Sequence, residues 1–187
     1  MAKSYCQFVK EKGKDTVHRQ YHDEEYGFPI ADDNLLFARL VLEINQAGLS
    51  WDTILKKKAN FFKAYSDFHI EKVARFSAKK KEKLMQDAGI IRNRLKIEAA
   101  VYNAQSILRL QQAFGSFKNW LDVHHPLTKE AWVKLFKKEF KFTGGEIVNE
   151  FLMSTGYLPG AHDKSCSIYK KIVKLQPKWL QNSAMFN

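Results

Sequence analysis

Apolar residues in this chain recur at intervals of three and four and almost nowhere at intervals of two. That period puts side chains on one face of a helix and leaves no half-buried strand to pair. Leu36, Phe37, Leu40, Val41 and Ile44 share one such face, with Asp32, Asp33 and Asn34 as candidate N-caps before them and Gly48 as a stop. Ser50 can cap a second helix carrying Trp51, Ile54, Leu55, Phe62 and Tyr65. Ser77 opens a basic helix that ends at Gly89, and Ile97, Val101, Ala104, Leu108 and Gln111 trace a longer one ending before Gly115. Thr128 can cap Lys129 to Phe140, Gly144-Gly145 precede another helix ending at Gly156, and Pro159-Gly160 breaks the chain into a tail holding His162 and Cys166. The expectation is an all-α fold. No internal repeat, low-complexity segment or linker divides it, so residues 1–187 read as a single domain.

A length of 187 residues buries a sizeable core, and 45% hydrophobic residues place the chain among globular rather than disordered proteins. The longest stretch without Lys, Arg, Asp or Glu runs only from Phe151 to His162, too short for a membrane span. The N-terminus lacks the apolar run of a secretory signal, and two cysteines make no disulfide scaffold, so a cytoplasmic protein is expected. The net charge of +11 is unevenly spread: residues 1–60 hold 9 basic and 9 acidic side chains, residues 61–187 hold 22 and 11. The densest piece, Lys79 to Lys96, carries seven basic residues against Glu82 and Asp87. Such clustering suits a phosphate backbone, whose counterions it displaces, and equally suits a solvated lysine-rich surface.

Three local features can carry chemistry. Cys6, His22, His162 and Cys166 together offer two thiolates and two imidazoles, the ligand set of a closed tetrahedral zinc site that would fasten the N-terminus to the tail. Two unrelated cysteines and surface histidines fit the same spacing. Glu43 lies at the flank of an apolar stripe, where a carboxylate needs a partner, either Arg39 or a lysine, or a flat amino-bearing ring stacked on nearby Trp51. The run Leu84 to Ile97 makes two basic helices joined by a glycine turn at Gly89. The N–H groups opening the second helix, with Arg92, Arg94 and Lys96, can hold a phosphate, although an ordinary helical hairpin has the same pattern.

Taken in order, these segments resemble the 3-methyladenine DNA glycosylase I family, a branch of the helix-hairpin-helix DNA glycosylases. The resemblance runs from Cys6 through Tyr21-His22-Asp23-Glu24-Glu25-Tyr26-Gly27 and Gln46-Ala47-Gly48-Leu49-Ser50-Trp51. It continues in Ile54-Leu55-Lys56-Lys57-Lys58, the hairpin Ala88 to Ile97, Phe140-Lys141-Phe142 with Gly144, and His162 with Cys166. It implies a helix-hairpin-helix lobe over about 35–140. A second helical lobe, 1–34 with 141–187, would join the two termini around one structural zinc held by Cys6, His22, His162 and Cys166. Glu43 matches the carboxylate that recognises a flipped base. Tyr21 and Trp51 match pocket walls, with Phe8 and Tyr26 where the family often has tryptophan. Gly48 and Leu49 match the tip that fills the gap left by the base, Gln46 reaches the orphaned partner, and Gly89, Arg92, Arg94 and Lys96 belong to the DNA-holding hairpin.

The activity so implied is base-excision hydrolysis of the N-glycosidic bond of 3-methyladenine in alkylated double-stranded DNA, releasing free 3-methyladenine. No lysine is placed as a Schiff-base nucleophile, so the enzyme is expected to be monofunctional, monomeric and associated with the nucleoid only through DNA. Competing readings are a helix-hairpin-helix protein that binds damage without excising it, and a basic helical protein for RNA or a protein partner. Ile44 and Asn45 depart from the family beside Glu43, the region 121–133 is short, and Pro159-Gly160-Ala161 replaces the usual approach to His162. The first of these is expected to reshape the pocket or change how the helix packs under it, and the second to alter DNA contacts.

Overall fold

The structure, a computed structural model, describes residues 3–13 and 16–181. Among the described residues there are twelve α-helices, one short 3-10 turn at Ser66–Phe68 and no strand. In chain order they are α1 (Tyr5–Lys12), α2 (Val17–Glu24), α3 (Asp33–Gln46), α4 (Trp51–Ala64), α5 (Ile70–Ala74) and α6 (Ala78–Gln86). There follow α7 (Arg94–Phe114), α8 (Phe117–His124), α9 (Lys129–Glu139), α10 (Gly145–Ser154), α11 (Ser167–Lys174) and α12 (Lys178–Gln181). The all-α expectation holds. The sequence signals also act locally as proposed: the side chains of Asp32, Ser50, Ser77 and Thr128 each accept a first-turn backbone N–H. Each such cap is worth about 1 kcal/mol. The basic helix ends at Gln86 rather than Gly89, because the chain turns at Asp87, whose carboxylate accepts the Gly89 N–H at 2.8 Å.

Helix α3 is the axis of the fold. Every residue from Leu36 to Asn45 is buried, because α4, α5, α7, α8 and α10 all pack around it. One continuous core extends from Leu36 to Leu158 and so takes in α10 together with the helices before residue 140. Its far end is aromatic, with Trp120, Trp132, Phe136 and Phe151 fully buried. Polar ties hold the helices in register. Asp33 accepts the backbone N–H groups of Phe117 and Lys118, at 2.7 and 2.9 Å, so the first turn of α3 caps the first turn of α8. Asn103, fully buried on α7, exchanges two hydrogen bonds with the backbone of Lys141.

A second, smaller cluster of Tyr21, Tyr26 and Leu55 is joined by Tyr5, Trp51 and Ala161. It brings α1 and α2 to the start of α4 and receives the segment leading to His162. Gly27 makes that meeting possible. Its φ is +81°, and a Cβ there would stand 2.8 Å from the Cβ of Ala161. The substituted segment Pro159-Gly160-Ala161 is therefore packed directly against the chain just after α2.

Candidate active site and metal centre

Between the two clusters lies a cavity of about 250 Å³. Its walls are the rings of Tyr5, Tyr21, Tyr26 and Trp51, and Gln46, Glu43 and Glu150 supply its polar groups. The rings support one another edge-on: Tyr21 lies 5.1 Å from Trp51 and Tyr5 lies 5.3 Å from Tyr26, centroid to centroid. Tyr21 is further held from behind, where Arg39 donates to its hydroxyl at 2.7 Å and stacks its guanidinium 4.8 Å from the ring centroid. Arg39 in turn pairs with Glu25 at 3.1 Å, and Glu25 also receives Lys58.

Glu43 is 4% exposed. No hydrogen bond to its carboxylate is made by any of the described residues. Burial pushes its carboxyl up to about 8, Arg39 opposes that rise, and Glu150 adds to it. A buried carboxylate without a donor of its own is costly in the free protein and is satisfied by a ligand that brings N–H groups or positive charge. The Arg39 pairing that composition allowed is long-range only, since the guanidinium is committed to Tyr21 and Glu25.

The structure brings Glu43, Tyr21, Tyr26 and Trp51 to one cavity and leaves Phe8 out; Gln46, expected to reach the orphaned base, lines the same cavity. Phe8 is not among the residues lining the cavity; it stacks behind Tyr5 at 6.0 Å and lies 5.0 Å from His18. Tyr5, one residue before Cys6, occupies the wall instead, and its hydroxyl is 2.9 Å from His18 Nδ1. Glu150, from α10, was not anticipated at all. Its Oε2 accepts the Tyr26 hydroxyl at 3.2 Å. Ile44 and Asn45 turn into the core, not the cavity. Asn45 donates back to the Val41 carbonyl at 2.8 Å. Gln46 donates its amide to the Leu49 carbonyl at 3.2 Å, bracing the turn beyond α3.

Cys6, His22, His162 and Cys166 converge, with their ligand atoms all within 4.8 Å of one another. The separations include 3.3 Å from His22 Nε2 to Cys6 Sγ, 3.5 Å from Cys6 Sγ to His162 Nδ1 and 3.8 Å from Cys166 Sγ to His22 Nε2. Ligands bound at roughly 2.0–2.3 Å around a tetrahedral zinc stand roughly 3.3–3.8 Å apart. The outer ring nitrogens are already oriented: His22 Nδ1 meets Asp23 at 2.6 Å and His162 Nε2 meets the Tyr26 carbonyl at 2.7 Å. Burial pushes the Cys6 thiol up to about 11, with Cys166 adding to it, so a cation beside it is needed to keep that sulfur as a thiolate. His162 and Cys166 lie in a loop, with the Cys166 N–H bonded to the Asp163 carbonyl, and Cys166 directly precedes α11. The donor set and its geometry fit a metal ion.

The turn from α3 to α4 exposes Gly48, at φ +81°, and Leu49, which is 40% exposed. The hairpin between α6 and α7 is pinned against α4: Lys57 donates to the Ala88 carbonyl at 2.6 Å, and a Cβ on Gly89 would meet Asn60 at 3.2 Å. Arg92 is exposed, and Arg94 is exposed but paired with Glu82 at 2.9 Å. Lys96 departs from the expectation. It is 5% exposed, and its ammonium donates to the carbonyls of Asn45 and Ala47 at 3.0 and 2.6 Å. Its charge satisfies the C-terminal carbonyls of α3 and does not face solvent as a phosphate ligand would.

A helical body with a basic hairpin, an exposed glycine turn and a ring-lined cavity holding a buried carboxylate has the parts of a protein that takes up a single flat base. Comparison narrows the class: this chain belongs to the 3-methyladenine DNA glycosylase I family. The sequence profile of that family, described as methyladenine glycosylase, matches residues 11–131. DNA-3-methyladenine glycosylase 1 of Escherichia coli K12 is 36% identical over 183 residues, covering 88% of this chain and 96% of that protein. A crystal structure of a tyrosine variant of 3-methyladenine DNA glycosylase I in complex with 3-methyladenine superposes with a TM-score of 0.75 at 35% identity, covering 86% of this chain and 96% of the other. The Staphylococcus aureus 3-methyladenine DNA glycosylase I, described for its 3-methyladenine recognition, gives 0.73 at 36% identity, covering 83% of this chain and 93% of the other.

Proposed function

We propose that this chain is a monofunctional base-excision glycosylase that extrudes 3-methyladenine from double-stranded DNA and hydrolyses its N-glycosidic bond. One observation carries the reading: in a chain of this family, Glu43 is a buried carboxylate with no hydrogen bond of its own, facing an aromatic cavity of single-base size. Methylation at N3 makes adenine cationic in DNA and weakens its bond to the sugar. Tyr21, Tyr26, Trp51 and Tyr5 would stack on such a ring, and Glu43 would accept its N–H groups. On cleavage the electron pair of the glycosidic bond passes to the base, which leaves neutral, while water adds to the sugar carbon and gives its proton to solvent. The lesion brings its own good leaving group, so the pocket has only to bind, orient and desolvate it.

Gly48 and Leu49 would enter the gap left by the base. Arg92 and the N–H groups at the start of α7 would hold the backbone. A single zinc ion on Cys6, His22, His162 and Cys166 would be structural, since four protein ligands leave no position for water. The test is release of free 3-methyladenine from methylated duplex DNA by the native chain and by Glu43→Gln. Release by the native chain and a loss of about a hundredfold in the variant is the expected result. Full activity in the variant removes Glu43 from the reaction. Binding to abasic duplex without any release by the native chain favours the damage-binding reading instead.

A further inference from the structure

The cavity holds a second carboxylate that the family resemblance did not assign. Glu150 reaches it from α10, whereas Glu43 comes from α3, and the two helices are packed together in the main core. The Tyr26 hydroxyl bonds only one oxygen of Glu150, and no hydrogen bond to Oε1 is made by the described residues. Both groups are shifted the same way by burial, and the charge of Glu150 acts on Glu43 across the cavity. In the free protein their repulsion is relieved by Glu43 keeping its proton; a cation that enters favours the ionised form of both, and the low dielectric strengthens the attraction. A neutral base of the same shape brings no such attraction.

We propose that Glu150 is a specificity-determining residue of this pocket, a second carboxylate that with Glu43 selects positively charged purines over neutral ones of the same shape. The inference rests on the glycosylase reading. It assigns the charge discrimination to two side chains of different helices rather than to Glu43 alone. Tyr26 is the positioning group: its hydroxyl donates to Oε2 at 3.2 Å and holds the Glu150 side chain at the cavity wall.

The test compares two free bases on the full chain by calorimetric titration. One is the 3,9-dimethyladeninium cation, which copies the charged lesion; the other is 3-deaza-3,9-dimethyladenine, an uncharged isostere. Native protein should prefer the cation by about tenfold or more. Glu150→Gln keeps an acceptor for Tyr26 and removes the charge. It should cut that preference by about fivefold while leaving affinity for the isostere within about twofold. Tyr26→Phe, which keeps both carboxylates, should hold most of the preference. Equal weakening of both ligands in Glu150→Gln, or no change in their ratio, overturns the proposal and makes Glu150 a structural anchor for Tyr26. Native protein that binds neither ligand overturns the proposal and the glycosylase reading together, whereas an unchanged ratio with tight native binding overturns the proposal alone.

Discussion

Glu43 sets a conflict between folding and binding within one side chain. Its carboxyl titrates at about 8 in the fold against an ordinary 4.5, mainly because burial disfavours the ionised form. Above 4.5 the unfolded chain releases this proton and the folded chain keeps it, so stability is full below 4.5 and declines as pH rises toward 8. Glu43→Gln has no such proton to keep. Thermal denaturation should find the variant and the native chain alike near pH 4 and the variant more stable at pH 9, by an amount on the order of a few kcal/mol. Parallel stability curves across that range would remove the buried, unpartnered carboxylate from the account. The oddity of Glu43 was legible in the sequence, as a charge on an apolar stripe just before a glycine and a tryptophan. Tyr5 and Glu150 were not, because they stand far from Glu43 in the chain and only the packing of α1 and α10 brings them to it. Phe8 was misplaced for a related reason: a short helix beside Cys6 offers two rings, and only its rotation decides which one faces the cavity.

At the scale of elements, caps made most of the helices readable. Asp32, Ser50, Ser77 and Thr128 do bond the first turns they precede. The same chemistry marks helices that periodicity alone passes over. Ser4 and Gln7 form a reciprocal capping box at α1, Thr16 caps α2, and Ser116 caps α8. These helices have eight residues each, too few for an apolar stripe to stand out. The hairpin shows the opposite limit. Its run of basic residues is plain in the sequence, but nothing local separates a lysine that meets solvent from one that ends a distant helix. Lys96→Met should therefore destabilise the fold by about 1–3 kcal/mol and leave the salt dependence of duplex binding unchanged. Arg92→Ala should change stability by less than about 0.5 kcal/mol, weaken duplex binding and make its logarithmic salt slope shallower by about one. Denaturant titration and binding across a salt series separate the two. A shallower slope with intact stability in Lys96→Met would return that lysine to the DNA face.

On the scale of the whole molecule, Cys6, His22, His162 and Cys166 bring together α1, α2 and the loop before α11, segments far apart in sequence that a metal ion there would tie. Three of the four aromatic walls, Tyr5, Tyr21 and Tyr26, belong to those segments, so a metal there would support the pocket without touching its contents. Stripping the metal with a chelator, or Cys166→Ser, should lower the melting temperature and speed amide exchange in α1, α2 and 159–166. The core around Trp120 and Phe136 should stay protected, and affinity for free 3-methyladenine should fall together with metal content. Purified protein without metal, with exchange rates insensitive to chelator, would set the tether aside. Lys96, meanwhile, joins the opening of α7 to the last carbonyls of α3, so the hairpin and the Gly48-Leu49 turn move as one piece. On the proposed reading, a part that would grip a strand and a part that would probe it are mounted on the same rigid arm, as in a caliper. Whichever phosphate the hairpin held, the nucleotide offered for inspection would stand at one set offset along the strand, and surveying a genome would require the entire protein to step.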